Sequence, residues 1–218
     1  MLTVLLTRHG HTDRSEPEQY LGQRMHATLT ERGRRDATRL AERLEGVTVD
    51  RIISSPLGRA VETAQILAGR VHVEVETEDR LTELDYGGWE GLTIEEIDSQ
   101  FPGQRDLYSG DPASHPVGGG ESGFAVAARV GAFLEELLTW GLEDDGGDRT
   151  VILVGHSSLN RVLLASVMGV PLVDYRRRFQ QDWASLTVLR WENREYGPML
   201  LLANDQSHSK GIRGATWD

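Results

Sequence analysis

Arg8, His9 and Gly10 stand side by side at the end of an apolar run, Leu2-Thr3-Val4-Leu5-Leu6-Thr7. A guanidinium offers forked donors, an imidazole can attack or donate, and a glycine lets backbone approach a ligand. The triplet makes poor core and a good oxyanion site. Two other segments share its design. Residues 54–59 end a second apolar run and place Arg59 at a helix start. His156 and Ser157 follow the run Thr150-Val151-Ile152-Leu153-Val154. One histidine at a strand end is ordinarily a satisfied structural residue; two histidines and two arginines at equivalent junctions point to a shared site. A cation such as Arg59 near a helix N-terminus is unfavourable unless an anion compensates. Arg8 and Arg59 can each grip phosphate oxygens through paired donors, so the chemistry indicated is phosphate binding and phosphoryl transfer.

The bulk composition sets the frame for that site. A chain of 218 residues can bury a full core in one domain, so a single domain is expected over 1–218. Hydrophobic content of 39% and charged content of 26% fit an ordinary globular protein. The sequence has no long apolar run of membrane-spanning length, and its start lacks the basic segment of a signal peptide; a cytoplasmic location is the expectation. With no cysteine, disulfides, thiolate metal sites and Cys nucleophiles are excluded. A formal net charge of −11 argues against nucleic acid or an anionic membrane as partner. An anionic small substrate must therefore be held by a local basic cluster. The state of association is open, with a homodimer among the options.

Strands and helices alternate along the chain. After the first strand comes a polar loop over 10–29, then Thr30 caps a helix with the apolar stripe Ala37, Leu40, Ala41 and Leu44, closed by Gly46. A strand over 51–54 breaks at Ser55-Pro56 and leads into a helix over 57–68, ended by Gly69. Val71, Val73 and Val75 alternate with polar residues as a half-buried strand. Thr93 with Glu96 forms a capping box, and Leu92 with Ile97 a hydrophobic staple. The Gly-, Pro- and Asp-rich stretch 102–120 reads as a long, lid-like loop. A long amphipathic helix starts at Ser122, an acidic turn covers 143–148, and a buried strand over 150–154 enters a helix over 159–168. Two further strands, 186–191 and 199–203, precede a polar tail over 204–218. The alternation predicts an α/β fold, three layers around a mostly parallel central sheet. In such a sheet the three anion-ready junctions fall on one edge, with helix N-termini aimed at it.

The chain resembles the histidine phosphatase superfamily, which includes the cofactor-dependent phosphoglycerate mutases. The residues that carry the resemblance are Arg8-His9-Gly10-His11-Thr12, Leu29 to Gly33, Ser54 to Ala60, Glu83 within 81–91, Gly119-Gly120-Glu121-Ser122, Gly155-His156-Ser157 and the tail piece Asn204 to His208. The resemblance implies a phosphoglycerate mutase-like fold and a phosphohistidine mechanism without metal or cofactor. His9 would be the nucleophile. Arg8, Arg59 and His156 would hold the phosphate and stabilise the transition state, and Glu83 would protonate the leaving oxygen. Ser157, Thr12, Ser15 and Gly22 complete the expected phosphate contacts.

Departures from the family pattern matter. His11 stands where relatives often have an acidic residue or Gln, and Arg14 and Ser15 occupy the region of a Trp-Asn pair. The mutase-type insertion around the acid is missing, and Gly87-Gly88-Trp89-Glu90-Gly91 resembles the phosphatase branch. Hydrolysis of a small phosphorylated metabolite is therefore favoured. The alternatives are mutase-type transfer and a phospho-ligand binding module without turnover. Asp85 and Glu90 compete with Glu83 for the acid role. A metal site from His9, His11 and His26 is a minor option, and Arg176-Arg177-Arg178 could grip a substrate or a polyanion, with a solvated helix face the favoured reading.

Overall fold

Alternate residues of the central strands face two different cores. The computed structural model describes residues 1–142 and 147–210. Its sheet has six strands: β1 (Leu2–Arg8), β2 (Arg51–Ser54), β3 (Val75–Thr77), β4 (Arg149–Gly155), β5 (Leu186–Trp191) and β6 (Met199–Asp205), in the order β3-β2-β4-β1-β5-β6. The first four are mutually parallel, while β5 pairs antiparallel with β1 and β6 with β5. The fold is therefore the expected α/β one, with an antiparallel extension at one side.

Leu5, Ile52, Ile152 and Val154 face one core together with α1 (Glu31–Arg43) and α2 (Gly58–Val71). Val4, Leu6, Ile53, Val151 and Leu153 face the other, against α5 (Gly123–Gly141) and α6 (Ser157–Val167). Strand periodicity of two explains this division, and burial on both faces explains the near-continuous apolar runs. Each fully buried Leu, Ile or Val contributes about 1.5–3 kcal/mol, enough to fix the register.

Several boundaries differ from the sequence expectation. α2 continues through Gly69 to Val71 and stops at His72, which takes a left-handed φ of 58°. That leaves β3 only three residues long, and Val71 is helical. The stretch 102–120 is not an open loop. It contains α4 (Gln104–Gly110), following α3 (Ile94–Gln100), and its Tyr108, Ala113 and Val117 are buried. Seven residues are too few to display a helical stripe, which is why composition hid this element. α6 starts two residues earlier than expected, at Ser157. In the polar tail, β6 extends to Asp205 and α8 (Ser207–Lys210) follows; residues 211–218, and 143–146 of the acidic turn, lie outside the described residues. A short helix, α7 (Tyr175–Arg178), precedes the segment leading to β5.

Candidate active site

The C-terminal ends of β1, β2 and β4 lie side by side, so Arg8, Ser54 and Gly155 deliver the next residues to one place. His9 follows β1 and is buried, and its Nδ1–H donates to the Gly10 carbonyl at 2.8 Å. A carbonyl can only accept, so the ring proton belongs on Nδ1 and Nε2 keeps its lone pair. Burial pushes the His9 imidazole well below its ordinary value, and the Arg59 and Arg8 cations push it further. It is a neutral imidazole at physiological pH, with its Nε2 lone pair free. A Cβ at Gly10 would sit 2.7 Å from the Gly33 carbonyl oxygen, so only glycine lets the loop lie against the start of α1.

His156 occupies the N-cap position of α6 without a side-chain cap bond, and its ring lies 5.1 Å from that of His9. Its Nε2 meets Ser55 Oγ at 2.8 Å, while Nδ1 is buried without a protein partner. Burial first, then Arg59, holds this imidazole neutral as well. Arg59 is buried in the first turn of α2. Its Nη2 donates to the Gly22 carbonyl at 2.8 Å and the Leu21 carbonyl at 3.3 Å, and its Nε has no acceptor. Arg8 donates from Nη1 to the Gln181 carbonyl at 2.8 Å, lies 4.9 Å from the centre of the Trp183 ring, and also keeps a buried Nε free. Burial lowers Arg8 to about 10, which still leaves it cationic at neutral pH.

Glu83 is buried, and its carboxylate is clasped by three backbone donors. Oε1 accepts from Leu84 N–H at 2.8 Å and Leu159 N–H at 3.0 Å, and Oε2 from Ser158 N–H at 3.1 Å. Two of these donors are orphan N–H groups of the first turn of α6, so Glu83 serves as the cap that α6 lacks in its own sequence. The Glu83 carbonyl is held in turn by Gln23 Nε2 at 2.8 Å and Arg129 Nη2 at 3.1 Å, both bound to Glu121. Glu83 lines the same cavity as His9, Arg8, Ser15 and Ser157. The competing carboxylates are engaged elsewhere. Asp85 pairs with Arg24 at 2.8 Å, and Glu90 accepts the backbone N–H groups of Gln23 and Arg24.

Not every expected contact reaches the cavity wall: Arg59 and His156 lie behind it, buried next to His9, and Thr12 and Gly22 are also absent from its lining. Thr12 is fully buried, pairs with Leu29 as a bridge and hydrogen-bonds Ser15 Oγ at 3.1 Å, so it braces the loop. Gly22 offers its carbonyl to Arg59 and packs against Glu90, where a Cβ would meet Oε1. His11 contacts Glu16 at 3.3 Å and Thr30, while His26 is exposed; among the described residues no group of three or more His, Asp or Glu is arranged to hold a metal ion. Residues the sequence did not single out also line the cavity. They include Arg161 on α6, Tyr86, and Trp183 in the segment before β5. Arg176 lines it too, which corrects the reading of all three arginines as a solvated face; only Arg177 and Arg178 are exposed. No motif marks Trp183 or Arg161, since a long-range fold places them.

The comparison with known families decides the lineage. The family model described as histidine phosphatase superfamily (branch 1) matches residues 4–206. The chain belongs to the histidine phosphatase superfamily. Phosphoserine phosphatase 1 of Hydrogenobacter thermophilus is 33% identical over 196 residues, 89% of this chain and 89% of that protein. A probable phosphoglycerate mutase of Proteus mirabilis is 33% identical over 97% of both chains. A solved structure of mycobacterial glucosyl-3-phosphoglycerate phosphatase with VO3 has a TM-score of 0.83 at 33% identity, covering 93% of this chain and 98% of that one. This histidine phosphatase is a phosphoric monoester hydrolase, with the phosphoglycerate mutase-like fold of its structural neighbours.

Proposed function

We propose that residues 1–218 act as one metal-independent phosphomonoesterase domain, turning over a small phosphorylated metabolite through a phosphohistidine at His9. The observation that carries this reading is the set of buried nitrogens without a protein partner on the residues around His9: Arg8 Nε, Arg59 Nε and His156 Nδ1, the last a donor when Ser55 donates to Nε2. A buried unsatisfied donor costs about 1–3 kcal/mol, so three beside one neutral nucleophile describe a preorganised oxyanion cradle.

His9 Nε2 attacks phosphorus; the N–P bond forms as the P–O bond to the leaving group breaks. Arg8, Arg59, His156 and the start of α6 at Ser157 neutralise the equatorial oxygens, with Ser15 at the rim. Glu83, protonated on the lone pair its clasp leaves open, gives that proton to the leaving oxygen. Water then attacks the phosphohistidine, Glu83 takes the water proton, and the N–P bond breaks. Two guanidiniums supply the charge that Mg²⁺ supplies elsewhere. Thr12 and Gly22 act through Ser15 and Arg59. The relatives named for phosphoserine and glucosyl-3-phosphoglycerate support a small phosphorylated substrate. None of the helices among the described residues is long and apolar enough to cross a membrane. A cytoplasmic location and a homodimer belong to the same reading, checked by fractionation and sizing chromatography.

The test is turnover of an aryl phosphate in excess EDTA, followed by rapid denaturation. An acid-labile, alkali-stable phosphate on His9, absent in His9→Ala, is the expected result. Label on Ser157, or loss of activity on chelation with rescue by a divalent ion, overturns the mechanism. Mutase-type transfer, which the name of the Proteus relative favours, is read out in parallel with a bisphosphoglycerate donor.

A further inference from the structure

We propose that Arg161 and Arg176 form a subsite for a carboxylate that the substrate carries beside its phosphate. The inference rests on the phosphomonoesterase reading and concerns the part of the cavity that the phosphate chemistry leaves unused.

The cavity, of about 170 Å³, is lined by both arginines together with Arg8, His9 and Glu83. Many arginines of this acidic chain find carboxylates, among them Arg34 with Glu62, Arg51 with Glu76, Arg105 with Asp98 and Arg194 with Glu135, while the exposed Arg14 at the cavity mouth stands in solvent. Among the described residues, Arg161 and Arg176 have no such partner. Arg161 makes one long contact, Nη2 to Gln180 Oε1 at 3.5 Å, and its buried Nε has no acceptor. Arg176 is half-buried, with its guanidinium 4.7 Å from the centre of the Tyr108 ring; Tyr108 is itself fixed by a 2.9 Å hydrogen bond to Tyr175. Stacking engages the face of a guanidinium and leaves its edge donors free.

Two observations place this pair apart from the phosphate cradle. Arg59 and Arg8 are the cations that bear most on the His9 and His156 rings, whereas Arg161 acts on the outer member, the Arg8 guanidinium. Both residues also lie beyond the junction, Arg161 one turn into α6 and Arg176 on α7. The acidic groups on the cavity wall do not answer them: Glu83 is clasped by backbone donors, and Glu18 is exposed at the rim. A half-buried guanidinium without an anion is costly, and a planar carboxylate matches its paired edge donors. The three consecutive arginines 176–178 thus divide, one facing substrate and two facing water.

Substrate pairs that differ by the carboxylate test the assignment: 3-phosphoglycerate against glycerol 3-phosphate, and phosphoserine against phosphoethanolamine. The wild type is expected to prefer the carboxylated member in kcat/KM by about 10–100-fold, the range of a charge-assisted hydrogen bond. In Arg161→Met and Arg176→Met the ratio falls toward one, whatever the absolute rates; the Lys variants, which keep charge without the fork, fall between and carry the test if a Met variant does not fold. A wild-type ratio near one, or a ratio unchanged in the variants, overturns the proposal. So does a collapse confined to fructose 1,6-bisphosphate against fructose 6-phosphate, which assigns the pair to a second phosphate. Absence of turnover on every phosphomonoester, aryl phosphate included, defeats the parent reading instead.

Discussion

Ser55 anchors the ring of His156. Its Oγ lies 2.8 Å from His156 Nε2 and also accepts the Leu57 backbone N–H at 3.3 Å. Leu57 takes one of the two Ser55 lone pairs, so the hydroxyl is free either to donate to His156 Nε2 or to accept from it; donation is the arrangement that the phosphate cradle requires. The imidazole, kept neutral by burial, then carries its own proton on Nδ1, the atom that has no protein partner. Ser55→Ala should release the ring to both tautomers and lower kcat/KM by about 10-fold, the scale of one net hydrogen bond. Ser55→Thr should retain the tautomer. Nitrogen NMR of the histidine ring reads the proton directly, and an unchanged Nδ1–H form in Ser55→Ala would refute the role.

Glu83→Gln should slow substrates according to how much the leaving oxygen needs a proton. An alkyl phosphate should lose about 10²–10⁴ in its phosphorylation step, while a nitrophenyl phosphate, which leaves as a stable phenolate, loses far less. Rapid quench with the nitrophenyl ester should show a burst and then slow turnover, because the phosphohistidine lacks its base. Equal losses on both leaving groups would transfer the acid role to Asp85 or Glu90, tested as Asp85→Asn and Glu90→Gln.

Arg59→Ala removes one donor of the oxyanion cradle and is expected to cost roughly 10²–10³ in rate. It also leaves the Leu21 and Gly22 carbonyls without their donor, so Arg59→Lys is the companion variant. A rate within a few-fold of wild type for Arg59→Ala would exclude contact with the transferring phosphoryl group.

Acid should destabilise the phosphate-free protein through its two site histidines. Both lie well below the ordinary value of 6.5, first because of burial and then because of the arginines beside them. In the unfolded chain they titrate normally. As pH falls below about 6.5 the unfolded state binds protons that the folded state refuses, so stability drops; above that value the contribution is complete and flat. Thermal melting between about pH 7.5 and pH 5, without phosphate in the buffer, should give a steeper slope for the wild type than for His9→Asn. Parallel slopes would show that His9 is not buried neutral.

Much of the site was legible because its parts sit at strand ends. Arg8, His9 and His156 terminate runs whose apolar character announces burial on both faces, and Arg59 violates a helix N-terminal preference that only an anion repairs. The capping box at Thr93 was equally plain, and the structure contains both of its hydrogen bonds. Long-range arrangement was not legible. Glu83 caps a helix that begins more than seventy residues later, and no local pattern encodes such a partnership. Arg176 shares its sequence context with Arg177 and Arg178, and only the position of Tyr108 on α4 separates them. That helix was itself concealed, since seven polar-rich residues anchored by one buried tyrosine look like loop.

The strand order has a consequence for how the molecule comes into being. β1, made before the other five strands, sits inside the sheet, between β4 and β5. Its register partners are not synthesised until residues 149–155 and 186–191. Arg8 then waits for the Gln181 carbonyl and the Trp183 ring, and Trp183 for Gln206, whose Nε2 donates to its carbonyl at 3.0 Å. During vectorial synthesis His9 therefore emerges early without its setting. A nascent chain halted before β4 holds His9 and Arg59 but neither the β1 pairing nor His156, so the candidate site comes together only after residues 149–206 have been made.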